Sequence, residues 1–109
     1  MEWMHLWSWW LGGACLMNAV PHLVSGVCGR PFQTPFARPP GQGLSSSLVN
    51  AVWGCFNLAV AYGLLLHVGG FDLRNTAHAA ALGLGLLTSA LFSAWHFGRF
   101  HGGAEGHDR

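Results

Sequence analysis

The chain has 109 residues, which is enough for one domain. Only 8% of these residues are charged, against about 25% in ordinary soluble domains, and a soluble chain this short needs a charged surface because it cannot bury most of its area. The net charge of +1 excludes the basic surface that nucleic-acid-binding proteins use. The composition therefore favours a protein whose main partner is the lipid bilayer.

Three uncharged, apolar segments follow one another along the chain. Each is at least as long as the roughly 20 residues that a helix needs to cross the hydrocarbon core. The runs are continuous rather than alternating, which excludes a closed barrel. The sequence predicts an all-α fold, a three-helix transmembrane bundle, as one membrane domain over 1–109. Its predicted parts are the spans 4–27, 47–68 and 76–97, a long ordered Pro-rich loop over 29–46, and a polar tail over 98–109.

The distribution of arginine predicts the orientation in the membrane. The loop after the first span and the C-terminal tail share one side and carry Arg30, Arg38, Arg99 and Arg109, whereas the opposite side carries Arg74. Cytoplasmic segments are the ones enriched in basic residues. We therefore expect the N-terminus outside and the C-terminus in the cytoplasm.

Small residues recur at every fourth position of the second and third spans. Lipid removes the hydrophobic drive between helices, so that close packing depends on small side chains at the interface. We expect these stripes to face neighbouring helices. They are Ala51, Cys55, Ala59 and Gly63 in the second span, and Ala77, Ala81, Gly85, Ser89 and Ser93 in the third.

The segment 29–46 contains four prolines and two Pro-Phe pairs. Proline removes a backbone donor and biases the preceding residue toward extended conformations, so we predict neither helix nor ordinary strand. Phenylalanine rings suit the membrane interface and arginines suit lipid phosphates. We expect an ordered cap over the inner end of the bundle, with a rigid connector as the alternative, and a helix N-cap among Ser45, Ser46 and Ser47. The predicted headgroup or partner contacts are Arg30, Phe32, Gln33, Thr34, Phe36 and Arg38.

Polar side chains inside spans are costly and indicate function by default. With a rise of about 1.5 Å per residue, most of those found here lie within about 15 Å of the cytoplasmic boundary. They predict a polar binding pocket that opens to the cytoplasmic half of the bundle. The alternative is that they only hydrogen-bond the helices to one another. The set is Asn18, His22, Asn50, Asn57, Ser93 and His96.

Seven histidines raise the question of a haem or metal site, because neutral imidazole ligates haem iron, zinc and copper. No two histidines within a span have i, i+3 or i, i+4 spacing, and HExxH does not occur. No cofactor is predicted. The alternative is haem or a transition metal held by different helices, through His22 with His96, or through His5 with His67 and His78.

The run NAVPHLVSGVCGRPFQTPFARPPGQGLSS, followed by N-x-x-W-G at Asn50 to Gly54, resembles small bacterial integral membrane proteins. The resemblance covers the first span, the loop and the start of the second span. It implies that Pro21, His22, the loop and Asn50 belong to one constellation, and it supplies no catalytic residue. The bacterial inner membrane is the expected location.

The resulting functional prediction is a non-catalytic small membrane protein, either an accessory subunit or a lipid- or partner-binding module that acts through the loop 29–46. The first alternative is the haem- or metal-binding redox protein. The second is a small transporter, which requires a homo-oligomer because three spans are too few to enclose a path. An enzyme is less well supported, since the spans contain no paired carboxylates and no GxSxG motif.

Overall fold

The computed structural model describes residues 2–103, and the chain within this range is mostly helical, as predicted. The predicted tail is therefore described only to residue 103, and Arg109 lies outside the described residues. The elements in chain order are a 3₁₀ turn (Glu2–His5), α1 (Leu6–Val27), β1 (Phe32–Gln33), β2 (Leu44–Ser45), α2 (Ser47–Tyr62), a π-helical turn (Gly63–Val68) and α3 (Thr76–His101).

Polar caps set the starts of α2 and α3. The Ser46 hydroxyl accepts from the Val49 amide at 3.2 Å, so one of the three expected serines is the N-cap of α2. Asn75 accepts from the amides of Ala77 and His78 at the start of α3. α3 extends past the predicted end at residue 97 and ends at His101.

The loop contains a short antiparallel pair of strands, where the sequence predicts none. Phe32 lies opposite Ser45, and Gln33 lies opposite Leu44. Proline flanks β1 at positions 31 and 35, but the residues of β1 itself retain their backbone N–H groups. The short stretch between the two prolines is therefore enough for a two-residue strand.

α1 is the central helix and packs against both α2 and α3. Glycines allow these close approaches. A side chain at Gly85 of α3 would overlap the Trp10 carbonyl oxygen, and one at Gly13 of α1 would overlap the Leu82 carbonyl oxygen. At the other interface, Gly54 lies against Leu23. The helices thus approach closely at positions where one of the two carries no side chain.

The face that α2 buries is not the predicted one. Cys55 and Ala59 of the predicted stripe are exposed, whereas Ala81 and Gly85 of the α3 stripe are buried as expected. The buried residues of α2 are Asn50, Gly54, Asn57 and Ala61. The two asparagines explain why this face is buried. An amide without a hydrogen-bond partner in an apolar solvent costs more free energy than leaving a cysteine or an alanine exposed there.

Polar side chains lie inside the molecule and apolar ones lie outside. Among the described residues, seven polar side chains are buried, against five apolar ones, while 26 large hydrophobic side chains are exposed. Ser47–Val68 and Thr76–His101 are long and apolar enough to cross a membrane. Only 17% of the residues in the most apolar stretch of each are buried. α1 has the necessary 22 residues, but it is not one of the two helices whose composition is apolar enough to cross a membrane.

Candidate functional site

A cavity of about 330 Å³ lies where α1, α2, α3 and the loop meet. Its volume falls within the range of small-molecule sites, about 300–1,000 Å³. All three helices and the Pro-rich loop contribute to its wall. The lining residues are Asn18, His22, Gln33, Thr34, Pro35, Pro40, Gly41, Trp53, Phe92, His96 and Phe97.

His22 is held in one orientation by Asn50, which is fully buried. The two hydrogens of the Asn50 side-chain nitrogen are donated to the carbonyl oxygens of Phe32, Ser45 and Ser46 at 3.1, 3.2 and 3.0 Å, one hydrogen being shared between two acceptors. Its oxygen is therefore the acceptor for His22 Nδ1, at 2.7 Å, and Nδ1 carries the hydrogen. Within residues 2–103, His22 Nε2 has no hydrogen-bond partner.

Asn18 is oriented by a similar chain of donors. The Asn57 side-chain nitrogen donates to the Trp53 carbonyl at 2.9 Å, which leaves the Asn57 oxygen to accept from the Asn18 nitrogen at 3.0 Å. The Asn18 oxygen has no partner in the described part of the chain. The cavity wall thus contains two acceptors without partners, His22 Nε2 and Asn18 Oδ1.

Two hydrogen bonds attach the loop to the end of α3. His96 Nδ1 accepts from the Arg99 guanidinium at 2.8 Å, so Nε2 is the donor to the Gly41 carbonyl at 2.6 Å. His101 Nε2 lies 2.8 Å from Gln33 Oε1. The loop is consequently a fixed part of the cavity wall and not a slack connector.

Trp53 forms a wall between this cavity and a second, wholly apolar groove of about 470 Å³. Phe36 of the loop meets the Trp53 ring edge-on at 4.9 Å, and Phe56 stacks on it at 5.5 Å. The Trp53 indole N–H is buried and has no acceptor among the described residues. The groove is lined by Phe36, Leu48, Val49, Val52, Trp53 and Phe56.

The predicted pocket residues separate into three groups. Asn18, His22 and His96 line the cavity, and Asn50 and Asn57 lie one hydrogen bond behind them. The structure places the sixth, Ser93, elsewhere. Its hydroxyl is buried without a partner within the described range, and it lines a separate apolar depression between α1 and α3. Phe92, four residues before His96, takes the cavity-facing position instead.

The predicted headgroup contacts separate into exposed residues and residues that face inward. Arg30, Phe36 and Arg38 are exposed, whereas Gln33 and Thr34 are buried and line the cavity. The Thr34 hydroxyl lies 2.5 Å from that of Ser45 and accepts from the Phe36 amide, which folds this part of the loop inward. Phe32 also points inward, against the rings of His22, Phe97 and His101.

The outer histidines pack against aromatic rings. His78 stacks on Trp9 with ring centroids 3.6 Å apart, and its Nδ1 accepts from the Asp72 amide. His5 lies 6.2 Å from the same Trp9 ring, whereas His67 packs on Tyr62. Over residues 2–103, no group of three or more His, Cys, Asp or Glu side chains is arranged to hold a metal ion. The cofactor and transporter alternatives stay predictions.

Trp53, Phe92 and Phe97 line the cavity but were not predicted as site residues. For Trp53 a signal exists in the sequence. It lies seven residues into α2 and next to Gly54, whereas tryptophan in spans is typically found at the ends. Phe92 and Phe97 are ordinary apolar residues of a span, and nothing in the sequence sets them apart.

No protein family, curated protein or solved structure matches this chain.

Proposed function

We propose that this chain is a bacterial inner-membrane protein with three spans, an external N-terminus and a cytoplasmic C-terminus, and that it binds a lipid-like amphiphile without catalysing a reaction. One observation carries the proposal. A cavity with uncharged polar groups adjoins an apolar groove, and Trp53 is common to both. An amphiphile has the same two parts, a polar head and an apolar chain.

The surface of the molecule supports the membrane part of the proposal. Only 17% of the most apolar stretch in Ser47–Val68 and in Thr76–His101 is buried, whereas the core helix of a soluble protein would be mostly buried. The exposed hydroxyl of Thr88 in α3 donates to the Leu84 carbonyl at 2.7 Å. A hydroxyl group that faces lipid needs such an internal acceptor, because no water is available there.

The rims of the two cavities support access from the bilayer. Phe92 lines the polar cavity and is 58% exposed on α3, and Phe36 lines the apolar groove and is 62% exposed. An acyl or isoprenoid chain that contacts these rings remains in an apolar environment. The exposed Arg30 and Arg38 are free to meet phosphates of the surrounding bilayer, which fits a loop that rests at the headgroup level.

Filling the groove tests the proposal. Val52 lines the groove, and Leu58 lies on the same helix outside both cavities. We expect native mass spectrometry of protein extracted in mild detergent to show a retained amphiphile. Val52→Trp should lower its occupancy about tenfold, equivalent to about 1.4 kcal/mol of binding free energy. Leu58→Trp, the matched control, should retain it. Equal retention by all three proteins, or none by the wild type, would contradict the proposal.

A further inference from the structure

We propose that the polar cavity selects amphiphiles whose head is uncharged and carries a hydroxyl group, such as a long-chain alcohol or an acylglycerol. This inference rests on the amphiphile binding proposed above and specifies the chemistry of the head. It comes from the charge of the cavity wall and from the hydrogen-bonding groups that the protein leaves without partners there.

The described wall of the cavity offers no counter-charge. None of its lining residues is Arg, Lys, Asp or Glu. Arg38 and Arg99 each lie two residues from a lining residue. Arg38 is exposed, whereas Arg99 donates to His96 and its guanidinium lies over the Trp95 ring at 4.5 Å and over the Phe100 ring at 5.5 Å. A phosphate or carboxylate head would lose its hydration here without gaining an ion pair, which is strongly unfavourable.

The hydrogen-bonding groups without partners include both acceptors and a donor. His22 Nε2 and Asn18 Oδ1 are acceptors, and the Trp53 indole N–H is a donor with no acceptor in the described chain. His22 is 2% exposed, so its unpartnered nitrogen is not simply a surface group in solvent. Buried polar groups are almost always paired, so the buried Trp53 N–H requires an acceptor. The two acceptors belong to residues that line the cavity, and a ligand that donates a hydrogen can pair with them there.

A hydroxyl group satisfies both kinds of site, because it donates one hydrogen and accepts at its oxygen. An ester or ketone head could accept from Trp53 but would leave His22 and Asn18 without a donor. Water could also fill the cavity, since it is both donor and acceptor. The apolar groove on the other side of Trp53 and the exposed Phe92 at the rim favour a hydroxyl that is attached to an alkyl chain.

A set of three photoactivatable probes tests the inference. The protein is reconstituted in phosphatidylcholine vesicles at neutral pH, with diazirine-bearing probes that share one alkyl chain and end in an alcohol, a carboxylate or a phosphate monoester. We expect the alcohol to crosslink at least about fivefold more than either charged probe, the factor that corresponds to one net hydrogen bond. The crosslinked peptides should contain the cavity residues.

The outcomes separate the two proposals. Equal crosslinking of all three probes at the cavity would overturn the headgroup selectivity and leave amphiphile binding intact. A preference for a charged probe would likewise overturn the selectivity. Absence of specific crosslinking for every probe would overturn both.

A conservative variant tests the hydrogen bond itself. Trp53→Phe keeps an aromatic wall and removes the N–H group, so the alcohol probe should lose about fivefold in crosslinking. The carboxylate probe should stay at its low level, because its charged head is already disfavoured in a cavity without a counter-charge. Trp7→Phe, at an exposed position of α1 outside the cavities, should match the wild type for all three probes. No change in Trp53→Phe, or an equal loss for every probe, would overturn the assignment of this donor.

Discussion

Asn50 satisfies more polar groups than any other side chain of the site. Its oxygen accepts from His22, and its nitrogen donates to three backbone carbonyl oxygens at the end of the loop and at the start of α2. In this way one amide joins α1, α2 and the loop. Because the residue is fully buried, none of these groups is paired with bulk water instead.

Asn50→Ala should therefore be strongly destabilising. The substitution leaves the His22 Nδ1–H and the carbonyl oxygens of Phe32 and Ser45 without this partner, and we expect a loss of about 2–4 kcal/mol in the free energy of unfolding. The measurement is unfolding in mixed detergent micelles, followed by circular dichroism. Cys55→Ala, at an exposed position of the same helix, should stay within about 0.5 kcal/mol of the wild type. A loss in Asn50→Ala no larger than that of the control would contradict the central role of Asn50.

Among the elements, the contact of α1 with α3 depends on backbone proximity. Gly13 and Gly85 stand on opposite sides of this interface, and each faces a carbonyl group of the other helix. Interiors are packed too densely to absorb an added methyl group against rigid backbone. α3 also carries Gly83, which lies on its outer face with open space where a side chain would be.

Two alanine substitutions in α3 should have opposite effects. Gly85→Ala should force the helices apart and destabilise the fold by about 1–3 kcal/mol. Gly83→Ala meets no atom within 4 Å, and should be neutral or stabilise by up to about 1 kcal/mol because alanine favours helix over glycine. Both are measured by the same detergent unfolding assay. If Gly85→Ala were as stable as Gly83→Ala, the close packing of α1 on α3 would be wrong.

The sequence predicts the helices well because apolar runs and turn residues are local signals. It predicts less well which face of a helix is buried. In α2 the small residues at every fourth position and the polar face of Asn50 and Asn57 indicate different sides, and the asparagines decide because their amides require partners. The cavity is even harder to predict from the sequence. Its wall combines loop residues such as Gln33 with helix residues such as Phe97, and that pairing depends on tertiary contacts.

For the whole molecule, the two ends of the bundle differ in structure. At one end the α2–α3 connection packs near Trp9, whose indole N–H donates to the Gly69 carbonyl at 3.0 Å. At the other end lie the loop, its exposed arginines and the polar cavity. Because the proposed binding site lies near one end, the orientation of the chain would determine which leaflet supplies the amphiphile.

Thiol labelling in intact cells tests this orientation. Cys28 is exposed just after α1, on the proposed cytoplasmic side, and Leu73 is 67% exposed in the α2–α3 connection on the opposite side. A membrane-impermeant maleimide should label the double variant Cys28→Ala, Leu73→Cys in intact cells. It should label Cys28 of the wild type only after permeabilisation, because cytoplasmic segments are the arginine-rich ones.

Cys28→Ala alone measures the background labelling from Cys15 and Cys55, which lie within α1 and α2. Labelling of Cys28 but not of Leu73→Cys in intact cells would reverse the orientation and assign the cavity to the outer leaflet. Equal labelling of both positions before and after permeabilisation would contradict a membrane-spanning arrangement. The proposed result would instead mean that the loop and the cavity draw their ligand from the cytoplasmic leaflet, where the exposed Arg30 and Arg38 meet the anionic lipids that attract them.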